Sequence, residues 1–101
     1  MKQVRRIEEM ELKLNKSKEA IKDLEKALAR YVKAQADIKD LAEYYESKEW
    51  KKDFEDDEKG KIPKDIKRGV LSEDGIYNLL DNNIEMQARL CNSLGKIIKC
   101  K

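Results

Sequence analysis

The run Asp53-Phe54-Glu55-Asp56-Asp57-Glu58, followed by Lys59, Lys61, Lys64, Lys67 and Arg68, puts five acidic side chains beside five basic ones. Two chemistries could come from such a run: cation binding by the carboxylates, or anion binding by the cations. A calcium loop needs oxygen ligands at alternate positions, a glycine at the sixth and a bidentate glutamate at the twelfth. Counted from Asp53, the sixth residue is Glu58 and the twelfth is Lys64, so the comparison fails. The basic block is the better candidate. Lys61, Lys64, Lys67 and Arg68 lie on a stretch bounded by Gly60 and Gly69, where they could face a phosphate or another anion. The excess is small, however: from Gly60 onward eight basic residues oppose five acidic ones. Nucleic-acid domains usually carry a larger surplus and a recognisable motif. The plainer reading is that the two blocks neutralise one another across the turn or are simply solvated.

Nucleophilic and metal chemistry find less support. The chain has no histidine and no threonine, and its serines stand at positions 17, 47, 72 and 93. Ser47 and Ser72 have the look of helix caps, and Ser17 falls on a helical seam, which leaves no nucleophile and base to assemble a triad. The chain is therefore expected not to be an enzyme, with no catalytic residue, no cofactor and no metal site. Cys91 and Cys100 are nine positions apart. On one helix they would face opposite sides about 13 Å apart, too far for a disulfide, and two thiols alone leave a tetrahedral zinc site half filled.

These residues must be held by helices. From Ile7 to Tyr45 no Gly or Pro intervenes, and steps of three and four from Ile7 land on Met10, Leu14, Ser17, Ile21, Leu24, Leu28, Tyr31, Gln35, Ile38, Ala42 and Tyr45. That stripe predicts one long amphipathic helix over residues 3–46, with Asn15-Lys16-Ser17 as the place where a break would fall. Ser47 then caps a short helix over 47–59 on which Trp50 and Phe54 share a face, with Gly60 as its stop. Tyr44, Tyr45, Trp50 and Phe54 are expected to form an aromatic cluster that turns the chain. Residues 60–71 read as an ordered connector, in which Pro63 can open a helical turn through Ile66 and Gly69 can close it in a left-handed conformation. Ser72, Glu73 and Asp74 mark the start of the last helix, over 72–94, and 95–101 form a tail.

Composition agrees with a single all-α domain spanning residues 1–101. Charged residues make up 44% of the chain, but 23 basic and 21 acidic side chains leave a formal net charge of only +2. Abundant Lys, Glu, Leu and Ala with few Gly and Pro is the composition of a helical bundle or coiled coil. No window approaches the roughly 18 to 20 apolar residues of a membrane span, and no signal-peptide-like segment follows Met1, so the expectation is a cytoplasmic protein without a membrane partner.

The segment from Gly60 to Leu80, GKIPKDIKRGVLSEDGIYNLL, is similar to the hallmark stretch of a short bacterial family, domain of unknown function 4298. The likeness extends upstream through Arg6-Ile7-Glu8-Glu9-Met10 and the run Tyr44 to Glu55, and so covers about Lys2 to Leu90. It implies a small helical protein and supplies no activity, substrate or catalytic residue. Cys91 to Lys101 have no counterpart in it.

The expected architecture is a long helix, a short helix with its connector, and a second long helix folded back antiparallel, in coiled-coil-like or bundle packing. At about 1.5 Å per residue the first helix spans roughly 60 Å and the last only about 33 to 40 Å. The stripe residues Ile7, Met10, Leu14, Ile21 and Leu24 would then stay at least partly bare. They are the candidate partner-helix interface, and a homodimer or a complex with a helical protein is the expected state. The resulting expectation is a structural or protein–protein interaction module, with anion or nucleic-acid binding through Lys59 to Arg68 as the alternative.

Overall fold

A computed structural model describes residues 1–99. Three α-helices follow one another: α1 over Lys2–Tyr45, α2 over Lys48–Glu58 and α3 over Gly75–Lys99, with a 3₁₀ turn at Gly69–Leu71 before α3. No strand occurs among the described residues. The protein is all-α. Its chain divides into two compact units, Met1–Asp37 and Ile38–Lys101.

The first unit consists of the greater part of α1. The helix is continuous through Asn15-Lys16-Ser17, because two weak helix formers cannot interrupt a run otherwise rich in Leu, Lys, Glu and Ala. From Lys2 to Arg30 every residue is exposed, the apolar ones included. Tyr31, Ala34 and Gln35 are half-buried, and the Gln35 side-chain amide donates to the Tyr31 carbonyl at 3.2 Å.

The second unit is organised around the corner where α1 ends. The Ser47 side chain, on an extended backbone, accepts the Trp50 N–H at 3.2 Å and thereby caps α2. Its own hydroxyl donates back to the Tyr44 carbonyl, so one side chain serves the end of α1 and the start of α2. Gly60 stops α2 in the left-handed region, at φ 74°. The Gly60 N–H reaches the Asp57 carbonyl at 3.1 Å and the Lys61 N–H reaches that of Asp56 at 2.9 Å, the paired bonds of a Schellman ending.

A turn forms at Lys64 and Asp65, between Pro63 and Ile66, and a 3₁₀ turn follows at Gly69–Leu71. One reading of the connector is corrected: Gly69 is not left-handed, since Gly60 alone has positive φ among the described residues. The physical reason lies at Gly75. A Cβ there would meet the Gly69 carbonyl oxygen and the Ser72 Oγ, each at 2.5 Å, so the 3₁₀ turn and the first turn of α3 are wedged together where only a glycine fits. Ser72 fastens the junction, donating to the Gly69 carbonyl at 2.8 Å and accepting the Gly75 N–H at 3.1 Å.

The core is small. Leu71 and Ile76 are the buried apolar residues, at 7% and 3% exposure, and they flank this junction. Leu41 near the end of α1 shares a shallow groove of about 310 Å³ with Val70, Ile76 and Leu79. Leu80 and Asn83 are half-buried, but from Ile84 to Lys99 the whole of α3 is exposed. It runs through Gly95 to Lys99, beyond the end expected at Leu94, with Lys96 and Lys99 in its last turn where cations suit the helix dipole. Cys100 and Lys101, part of the expected tail, lie outside the described residues.

Candidate functional site

The residues of the expected partner-helix interface share one face of α1 by their spacing, and all are open to water. Ile7 is 55% exposed, Met10 53%, Leu14 47%, Ile21 61% and Leu24 60%. Leu28 extends the same stripe and is also exposed. Arg6, Ile7, Met10, Glu11 and Leu14 line a shallow groove near the start of the helix. What holds this surface in place is the helix alone. A lone helix gains little from propensity, and most helical stability in proteins comes from packing an apolar face. Leu, Ile and Met at alternating three- and four-residue spacing is the pattern that seams between packed helices carry in general.

The candidate anion site has a different geometry. Lys61, Lys64 and Lys67 are exposed on the irregular stretch after Gly60. Arg68 stands apart from them, half-buried and hydrogen-bonded through its guanidinium to the Asp57 carboxylate on α2. One acidic and one basic member of the two charge blocks therefore neutralise each other across the turn.

The aromatic corner is a packed cluster. Tyr45 meets Trp50 edge to face at 4.8 Å between centroids, and Trp50 stacks on Phe54 at 5.2 Å. Trp50 also donates its indole N–H to the Val70 carbonyl at 2.8 Å, which ties α2 to the 3₁₀ turn. Beside it the Tyr44 hydroxyl donates to Asp53 Oδ2 at 2.6 Å. Partial burial, reinforced by this bond and by the Asp53 charge, pushes the Tyr44 phenol up to about 12. Such a phenol stays neutral at ordinary pH and serves as a donor. The sequence placed these rings together through their closeness in the chain, but it gave no sign of the Val70 acceptor twenty positions away. Gly75 was equally silent, since close backbone approach leaves no periodic trace.

Among the described residues no group of His, Cys, Asp or Glu could hold a metal ion. Cys91 is a free, exposed thiol. No helix among them is long and apolar enough to cross a membrane.

A small all-α protein with one long, uncovered amphipathic helix is the class these features define. The chain belongs to the family described as Domain of unknown function (DUF4298), whose pattern matches residues 7–92. That match takes in both the stripe on α1 and the Gly60 to Leu80 stretch. No curated protein and no solved structure matches the chain.

Proposed function

We propose that the protein is a non-enzymatic helical interaction module that works by laying the apolar face of α1 against another helix, in a second copy or in a helical protein partner. The observation that carries this reading is the exposure of Ile7, Met10, Leu14, Ile21 and Leu24 along a single stripe. Fully burying a Leu or Ile side chain contributes roughly 1.5–3 kcal/mol relative to leaving it in water. Five such residues on each of two helices, half relieved of exposure, contribute roughly 7.5–15 kcal/mol, the same order as the cost of association, about 4–15 kcal/mol. A partner also removes the difficulty of a long helix with no packing of its own.

Light scattering tests the homodimer form. The expected result is a mass near twice 11.9 kDa at micromolar concentration, falling toward a single chain in Ile21→Asp and Leu24→Asp. A single-chain mass throughout, unchanged by either substitution, removes it and leaves only a different helical partner.

The second reading, anion or nucleic-acid binding through the connector, is supported by the exposure of Lys61, Lys64 and Lys67. It is weakened by the engagement of Arg68 with Asp57. Retention on a polyanion at low salt that falls steeply as salt rises, and is lost on reversing Lys61, Lys64 and Lys67, would favour it. Absence of retention at low salt removes it.

A further inference from the structure

The second half of α3 is a separate uncovered face with charges of one sign. We infer that it lies on a membrane surface, its apolar half sunk into a bilayer that carries anionic lipid. This stands apart from the stripe on α1 and from the partner proposed for it. It departs from the expectation of no membrane partner, which rested on the lack of a spanning segment.

The helix continues through Gly95 to Lys99, and so Ile97 and Ile98 join the face begun by Ile84, Met86, Leu90 and Leu94. All six are exposed. At about 100° per residue the arc from Met86 round to Ala88 covers roughly 200° of the circumference. Among the described residues Gln87 is the one polar amide inside it. A two-helix seam is narrower than this arc, whereas half of a helix lying in the plane of a bilayer is immersed.

The opposite half selects the sign of the surface. After Glu85 no acidic residue occurs up to Lys99, while Arg89, Lys96 and Lys99 all fall on the polar half. The exposed part of α1, by contrast, interleaves Glu and Asp with its lysines. Arg89 and Lys96 lie opposite the centre of the apolar arc, so a protein helix seated on that arc would leave them pointing away from it. A helix sunk about 5–10 Å into the boundary between headgroups and acyl chains has headgroups on both flanks, level with its polar half. Long Lys and Arg side chains reach anionic ones there. Ile76, on the same face as the arc, is buried at the 3₁₀ junction. The body of the second unit therefore stands on that side at the start of α3, and the helix meets the bilayer at a tilt with Leu94 to Lys99 deepest.

Cosedimentation of the full chain with vesicles tests the inference. Vesicles of phosphatidylserine and phosphatidylcholine should retain the protein at low salt, less so as salt rises, and phosphatidylcholine alone should retain far less. Each of Arg89→Gln, Lys96→Gln and Lys99→Gln should weaken binding about fivefold. Ile97→Asp with Ile98→Asp should abolish binding and leave the amides around Trp50 as protected as before. A polarity-sensitive label at Ile98→Cys, in a Cys91→Ser, Cys100→Ser background, should report an apolar environment on the anionic vesicles, and one at Asn92→Cys a polar one. No retention on anionic vesicles at low salt overturns the inference. So does retention that survives Ile97→Asp with Ile98→Asp but is lost in Leu24→Asp or on reversing Lys61, Lys64 and Lys67, because the attachment then lies on α1 or the connector.

Discussion

The Tyr44 hydroxyl donates to Asp53 Oδ2 at 2.6 Å, joining the last turn of α1 to the middle of α2. This bond fixes the angle at which the chain leaves the long helix, and it carries a pH signature. The folded-state pKa of Tyr44 is raised, to about 12 from an ordinary value of 10.0. The folded form therefore binds the proton more tightly than the unfolded one. Its stabilisation is fully present below pH 10 and lost as pH rises through 12. Chemical denaturation from pH 8 to 12 should show stability falling across the upper half of that range. Tyr44→Phe should flatten that fall while lowering stability at pH 8 by about 0.5–1.5 kcal/mol. An unchanged slope in the variant would assign the alkaline loss to other groups.

Trp50 anchors the corner by ring contact and by its N–H. Trp50→Phe keeps an aromatic ring against Tyr45 and Phe54 but strands the Val70 carbonyl, and is expected to cost about 1 kcal/mol. Trp50→Ala removes both and should cost about 2–4 kcal/mol. Urea unfolding followed by circular dichroism gives both values, and equal losses would mean that the indole N–H contributes most of the anchor.

At Gly75 the backbone of the 3₁₀ turn leaves no room for a side chain. Gly75→Ala should destabilise the second unit by about 1–3 kcal/mol despite the better helix propensity of alanine. Gly60→Ala is expected to cost about 1 kcal/mol for a different reason, the left-handed backbone that ends α2. Gly95→Ala, where an added Cβ meets nothing, should be neutral or stabilising. Thermal melts of the three variants test the ordering, and a destabilised Gly95→Ala would contradict it.

The Arg68–Asp57 pair is half-exposed, so Arg68→Ala should lower stability by less than about 1 kcal/mol. High salt should shrink even that difference. A larger loss in the denaturant midpoint would show that Arg68 supports the connector by packing its stem as well as by charge.

The helices were legible in the sequence because each has a local signature. The three- and four-residue steps from Ile7 announce α1, Ser47 followed by Trp50 announces α2, and Gly60 announces its end. The connector was not legible in the same way. The turn between Pro63 and Ile66 could be read from Pro63, but what decides the path beyond it is a close approach between Gly69 and Gly75, two residues whose lack of side chains leaves no pattern to read. The candidate interface was visible as periodicity, and its residues are exposed on α1. The acidic and basic blocks suggested neutralisation in general, yet only the fold selects Asp57 and Arg68 as the pair.

Amide hydrogen exchange along α1, measured as a function of protein concentration, tests most directly whether another helix covers the stripe. A helix without packing opens locally at little cost, whereas one sealed against a partner exchanges only when the complex parts. Protection of the amides from Ile7 to Leu28 should rise with concentration and disappear in Leu24→Asp, while the amides around Trp50 keep theirs. Strong protection over Ile7 to Leu28 that is independent of concentration and survives Leu24→Asp would contradict it.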